Sequence, residues 1–191
     1  QSAPTADLFR QMKAVIKLRV VWLQSTVLVC AYTSYKAFDQ YALFAVRGHG
    51  IDEIDAAQIV ATGAWTRPIA ALALGLLGDR FGISRMALVC FVLLIISHSL
   101  FAFTGMALGT LSMILLNTLV TGIAIFGLRG LYFGLLEEGQ IPLAMTGTAV
   151  GLVSVIGYTP DVYIAAVAGY LIDQSPGLAG FQHLFMLLLG F

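Results

Sequence analysis

The chain has 191 residues, of which 59% are hydrophobic and only 10% are charged, and its mean hydropathy is +0.92. A soluble domain of this length has too little interior to bury so much apolar surface, so lipid must supply part of the solvent. Ten basic residues balance ten acidic ones, which excludes the positive field that nucleic-acid binding requires. The expected partner is the lipid bilayer, and no nucleic acid.

Residues 1–19 are mixed and charged, and we interpret them as a cytoplasmic linker or amphipathic approach. They lack the short apolar core and the small-residue cleavage site of a signal peptide. Because the chain starts at Gln1 rather than at methionine, we expect an internal start.

Long apolar runs follow the linker, each ended by glycine, proline or charge. The runs are roughly 20–46, 55–78, 85–104, 107–134, 142–172 and 181–191. All but the last reach the about 20 residues that a helix needs to cross a bilayer. Strands are excluded because an open sheet would leave unpaired backbone groups in lipid. We predict an all-helical membrane protein with six spans, the last of them incomplete.

Lysine and arginine are distributed unevenly between the two ends of these spans. Residues 10–19 carry four of them, Arg80 and Arg85 follow the second run, and Arg129 lies near the end of the fourth. The opposite connections carry only Arg47. Since positive residues in short loops are retained in the cytoplasm, we predict a cytoplasmic N-terminus and a multi-pass protein of a plasma membrane.

Small residues four positions apart predict close contacts between the spans. These pairs are Ala71 with Gly75, Gly105 with Gly109, Gly130 with Gly134, Gly147 with Gly151, and Ala165 with Gly169.

A short basic loop between the second and third runs carries the most specific motif, GLLGDRFGISR over residues 75–85. It resembles the signature loop of the major facilitator superfamily of transporters, which has a glycine, then Asp-Arg-Phe-Gly, then a basic residue. Residues 127–138, 146–151 and 157–161 are similar to the tenth and eleventh spans of bacterial permeases of that superfamily. The charged approach at 7–19 suits the linker between the two halves, and so favours the second half over the first.

The resemblance implies a six-helix C-terminal half-bundle, with the N-terminal six-helix half of the same transporter as its partner. In the family, the matching residues of the loop form a cytoplasmic latch that stabilises the outward-open state. Gating is therefore implied for Gly75, Asp79, Arg80, Gly82 and Arg85; a plain cytoplasmic turn is the alternative. The family often ends this loop with two successive basic residues, whereas Arg85 stands alone here.

Ionisable residues inside apolar runs are the best site candidates, because a charge at membrane depth costs a few kcal/mol and is normally paired or faces a watery cavity. Arg67 lies near the middle of the second run, directly before Pro68. Its guanidinium suits a carboxylate or phosphate, which it grips with two hydrogen bonds. The alternative is an interhelical pair with Asp39 or Asp161.

Lys36 and Asp39 share a helical face with Tyr32 in the first run. They either neutralise each other or contact the substrate or a coupling proton. In the fifth run, Tyr158 and Asp161 flank a proline on a small and polar stripe, which favours exposure to a cavity.

Arg129 lies near the cytoplasmic end of the fourth run, shortly before Glu137 and Glu138. We interpret it as an interfacial anchor, with a cytoplasmic gate formed by these three residues as the alternative.

Motifs for a metal site, a phosphate-binding loop or a catalytic nucleophile are absent from the sequence, so we expect no enzyme, no metal and no cofactor. The expected function is secondary active transport of a small solute by alternating access. Arg67 and Lys36 favour an organic anion, and the family resemblance implies coupling to protons. A channel or a structural membrane subunit is the alternative.

Overall fold

A computed structural model describes residues 4–104, 111–175 and 177–191. All regular structure in these residues is helical, which confirms the prediction of an all-helical protein. The elements are α1 (Pro4–Ile16), α2 (Arg19–Ala37), a 3-10 turn (Phe38–Gln40), α3 (Tyr41–Leu43), a π turn (Phe44–Gly48), α4 (Glu53–Phe81), α5 (Ile83–Phe103), α6 (Leu111–Leu131), α7 (Gly134–Glu138), α8 (Leu143–Gly157), α9 (Pro160–Gln174) and α10 (Leu178–Leu189).

Four helical segments are long and apolar enough to cross a membrane: α4, α5, α6, and α8 with α9 taken together as Leu143–Gln174. A fifth results if Phe9–Ile16 and Arg19–Gly48, which meet at a 77° bend, are counted as one span. The apolar helix α10 is shorter. The chain is therefore a multi-pass membrane protein, while the half-bundle of the transporter superfamily stays a prediction.

Among the differences between the helix ends and the predicted runs, two concern the fifth and fourth runs. The predicted run 142–172 is divided where α8 ends at Gly157 and α9 begins at Pro160, because proline is well suited to the first turn of a helix. The predicted run 107–134 extends beyond the end of α6 at Leu131, and its first four residues lie outside the described ones.

The core is organised around α6, which packs against α4, α5 and α2, with its largest interface on α4. Helix α2 also packs on α8 and α9, and α10 packs on α5 and α9. Phenylalanine rings fill the core where the π turn meets α5 and α10, with Phe44 at 4.6 Å from Phe101 and 5.1 Å from Phe185 between ring centroids.

Two glycines allow helices to approach unusually closely. A Cβ atom on Gly130 would lie 2.7 Å from the backbone oxygen of Ala71, and one on Gly157 would lie 2.2 Å from Leu28. Other members of the predicted small pairs differ: Gly75, Gly147, Gly151 and Gly169 would meet nothing within 4 Å. Gly105 and Gly109 lie outside the described residues.

Candidate functional site

The ionisable residues predicted in the first and fifth runs meet between α2 and α9. The Lys36 Nζ atom lies 3.2 Å from Asp39 Oδ2 and 3.3 Å from Asp161 Oδ1. The Tyr32 hydroxyl donates to Asp161 Oδ2 at 2.8 Å. We call these four residues the Lys36 cluster. Asp39 and Asp161, the two carboxylates considered as partners of Arg67, therefore both pair with Lys36.

Tyr158 lies beside this cluster, at the break between α8 and α9. Its ring packs edge-on against Tyr32 with centroids 4.7 Å apart. The preceding Gly157 lets the buried Leu28 of α2 contact the α8 backbone, which brings the two helices together at this level. The tight packing thus sets the position of Tyr158 against Tyr32.

Two arginines extend the site towards α4 and α6. The Arg67 guanidinium carbon lies 4.8 Å from the centroid of the Phe126 ring, and that of Arg129 lies 4.4 Å from the centroid of Tyr35. The Tyr35 and Phe126 rings are themselves 6.2 Å apart, edge to face. We call these four residues the arginine–aromatic row; each cation gains attraction from a ring face.

Within the described part of the chain, neither arginine of the row forms an ion pair, and both side chains are exposed. Arg67 therefore keeps its hydrogen-bonding groups available for a carboxylate or phosphate. Arg129 lies on Tyr35, and the described residues show no ion pair between it and Glu137 or Glu138.

The Lys36 cluster and the arginine–aromatic row differ in charge. The cluster holds one cation and two carboxylates, whereas the row holds two cations. Tyr32 and Tyr35 connect them, with ring centroids 5.3 Å apart. A ligand across these rings would meet negative charge at one end and positive charge at the other.

The chain is similar to two inner membrane proteins of Escherichia coli. It is 34% identical to the inner membrane protein YihN over 106 residues, which cover 55% of this chain and 23% of that protein. It is 23% identical to the inner membrane protein YqcE over an alignment covering 91% of this chain and 42% of that protein.

The chain thus spans less than half the length of either relative. No family model matches it, and no solved structure does. The relatives and the apolar helices together support a multi-pass protein of the inner-membrane type.

The prediction of a loop over residues 75–85 is wrong in its extent: residues 75–81 lie in α4, residues 83–85 lie in α5, and only Gly82 separates the two helices. Gly82 adopts a φ of +100°, a left-handed conformation that glycine favours, and thereby turns the chain into α5. The Arg80 guanidinium carbon lies 5.3 Å from the centroid of Phe81. A Cβ atom added to Gly75 would meet nothing within 4 Å, so close packing does not require glycine there.

The acceptor at the start of α5 is Glu138 of α7. Its Oε1 atom accepts from the Ile83 amide at 2.6 Å, and its Oε2 atom accepts from the Ser84 amide at 3.0 Å and from the Ser84 hydroxyl. Asp79 lies in the last turn of α4, whereas α7 packs on α5. Glu138 thus satisfies free amides at a helix N-terminus.

The Ser84 hydroxyl, the Ile83 and Ser84 amides and the Arg85 charge hold the pKa of Glu138 below its ordinary value of 4.5. A depressed pKa stabilises the fold above about pH 4.5, and this contribution is lost as pH falls below that value. We expect Glu138→Gln to lower stability at pH 7 by no more than about 1 kcal/mol, because the carboxylate is exposed and screened.

Thermal melts of the detergent-solubilised protein between pH 4 and 7 measure this effect. We expect the melting temperature of the wild type to fall as the pH is lowered, and that of the variant to fall less. Glu137→Gln is the matched control, since among the described residues that carboxylate accepts no hydrogen bond from the start of α5. Equal pH profiles for Glu138→Gln and the wild type would contradict the assignment.

Sequence reasoning missed the aromatic members of the site, Tyr35 and Phe126. It also missed a set of buried polar side chains where α3, α5 and α6 meet. There the Tyr41 hydroxyl donates to Thr121 Oγ1 at 3.3 Å, and the Asn117 side chain donates to the Ser97 carbonyl at 3.3 Å. The spacing of Asn117 and Thr121 by one helical turn inside an apolar run was the available indication.

Within the described ranges, no group of three or more histidine, cysteine, aspartate or glutamate side chains is arranged to hold a metal ion.

Proposed function

We propose that the protein is a secondary active transporter of the major facilitator superfamily that moves a small organic anion by alternating access. This chain would supply the C-terminal six-helix half. The observation that carries the proposal is the arginine–aromatic row: two guanidiniums on membrane-spanning helices, without a carboxylate partner among the described residues. Such charges are costly in a membrane and mark ligand pathways.

Two further observations support a half-bundle. The loop at 75–85 has the residue order of the superfamily's signature. The alignment with YqcE uses 91% of this chain and 42% of that protein, which is the proportion expected when one half is compared with a two-half protein.

The mechanism follows from where the charges lie. The Lys36 cluster joins α2 to α9 next to the break at residues 158–159, and discontinuous helices line substrate sites in many carriers. An anion bound at the arginine–aromatic row stabilises the conformation that fits it best. Its release on the other side of the membrane lets the bundle go back to its starting conformation. Asp161 is the acid proposed to carry a coupling proton.

The test is counterflow by the full-length protein in proteoliposomes. Vesicles loaded with an unlabelled organic anion should take up the labelled anion transiently above its equilibrium level. Saturable counterflow is the result expected of a carrier. Single-channel conductance without counterflow would assign a channel, and the absence of both would assign a structural subunit; either overturns the proposal.

Arg67→Lys tests the part played by the guanidinium. The substitution keeps the positive charge but removes the planar fork that pairs with two oxygens, so we expect apparent affinity for the anion to fall roughly tenfold. Competition assays in the same vesicles measure the change. Arg10→Lys, on the exposed face of α1, is the matched control. Unchanged affinity in Arg67→Lys would show that Arg67 does not contact the substrate.

A further inference from the structure

One tyrosine hydroxyl beside the site lacks a partner. Tyr132 is only 2% exposed, and within the described residues its hydroxyl has no hydrogen bond. Its backbone is well held, because its amide donates to the Leu128 carbonyl and its own carbonyl accepts from the Gln24 side chain. Buried hydroxyl groups are almost always hydrogen-bonded, so this one calls for a partner that the described residues do not supply.

The surroundings of this hydroxyl are those of the candidate site. Tyr132 directly follows α6, and its carbonyl accepts from Gln24 of α2, the helix that also carries Tyr32 and Tyr35. Because the Tyr132 amide still donates to the Leu128 carbonyl, the chain keeps its helical course one residue past the end of α6. Tyr132 and Arg129 are three residues apart, which places them on the same face of this last turn.

We infer that the Arg129 guanidinium and the Tyr132 hydroxyl together bind the oxyanion group of the transported substrate, an inference that rests on the proposed function. An arginine offers only donors, and the tyrosine hydroxyl adds another. A carboxylate or similar group accepts from both, whereas an ammonium group cannot pair with Arg129. This assigns Arg129 to substrate binding rather than to an interfacial anchor or a cytoplasmic gate.

The opposite end of the site defines the rest of the substrate. In the Lys36 cluster a single lysine faces the carboxylates of Asp39 and Asp161, which leaves one negative charge in excess. A second anionic group would be repelled there, whereas a hydroxyl or ammonium group can donate to a carboxylate oxygen. The substrate class is a small organic acid that carries a hydrogen-bond donor at its far end.

The test is binding of defined acids to the purified full-length protein, measured by ligand-induced thermal shift and by titration. Gluconate and 6-aminohexanoate carry both an anion and donors, hexanoate has the anion alone, and glucose has hydroxyls alone. We expect the first two to bind and the last two to bind at least tenfold more weakly. Hexanoate or glucose binding as tightly as both donor acids, or no binding by either donor acid, would overturn the substrate class.

Tyr132→Phe tests the hydroxyl directly. It removes a donor that is unpaired without ligand, so the unliganded melting temperature should stay the same or rise. Affinity for the donor acid should fall roughly tenfold to a hundredfold, because a hydrogen bond to a charged group is lost. A merely structural role would give the opposite pattern, a lower melting temperature with affinity retained.

Arg129→Gln should weaken binding to a similar degree, and Tyr170→Phe, at an exposed position of α9, should change neither quantity. Unchanged affinity in Tyr132→Phe overturns the inference even if Arg129→Gln fails to fold. The proposed function fails separately, if the wild type binds the donor acids but shows no counterflow with them.

Discussion

Gly157→Ala is expected to destabilise the protein by about 3 kcal/mol or more, because overpacking a closed interface forces helices apart. The added Cβ atom would lie 2.2 Å from Leu28 Cδ2 and 2.3 Å from Leu28 Cγ. Leu28 is fully buried, so its side chain cannot move into free space. Separating α2 from α8 would also displace Tyr158 from Tyr32, and transport should fall with stability. Fluorescence-detected thermal melts measure the first effect and counterflow the second.

Gly151→Ala is the matched control for this substitution. It adds the same methyl group to the same helix, at a position where a Cβ atom meets nothing within 4 Å. Alanine also favours helix over glycine by up to about 1 kcal/mol, so the melting temperature should be unchanged or slightly higher. If both variants melt at the same temperature, the close approach of α2 to α8 is wrong.

Lys36→Met is expected to reduce transport by more than about tenfold and to lower the yield of folded protein. The substitution removes the only cation of the Lys36 cluster and leaves the carboxylates of Asp39 and Asp161 facing each other. Uncompensated charge on a membrane-spanning helix costs a few kcal/mol. Size-exclusion yield and counterflow of the full-length protein measure the two losses. Lys13→Met, on the exposed part of α1, should show neither.

Adding Asp161→Asn to Lys36→Met separates charge neutralisation from substrate contact. The double variant removes one charge of each sign and leaves Asp39, whose side chain is 64% exposed. We expect folded yield to return while transport stays low, because the site has lost two of its polar groups. Recovery of both would mean that the cluster only neutralises itself. A normal yield and normal transport in Lys36→Met alone would show that the ion pairs matter for neither.

Features that depend on the local spacing of residues could be predicted from the sequence. Apolar runs of span length predicted the helices, since in lipid the backbone must satisfy its own hydrogen bonds. The three-residue spacing of Lys36 and Asp39 predicted their pairing, which the structure shows at 3.2 Å.

Contacts between segments that are distant in the sequence could not be predicted from local spacing. Sequence reasoning considered only Arg67 as a basic partner of Asp161, whereas the packing of α2 on α9 brings Asp161 to Lys36. Arg129 was compared with the acids that follow it in the chain, whereas its neighbour in the structure is Tyr35 of α2. An aromatic residue inside an apolar run gives no indication of which helix it faces, so the arginine–aromatic row could not be predicted.

The central position of α6 has a consequence for how the protein is made. Helices α2, α4 and α5 all pack on α6, yet each leaves the ribosome before it. Until α6 enters the bilayer, Gly130 is not there to pack against the backbone of Ala71. Since chains fold as their segments emerge, the three earlier helices must remain loosely associated in the membrane during that interval. Insertion of α6 is then the step that commits the bundle to its final arrangement, and the stage of biosynthesis most exposed to misassembly.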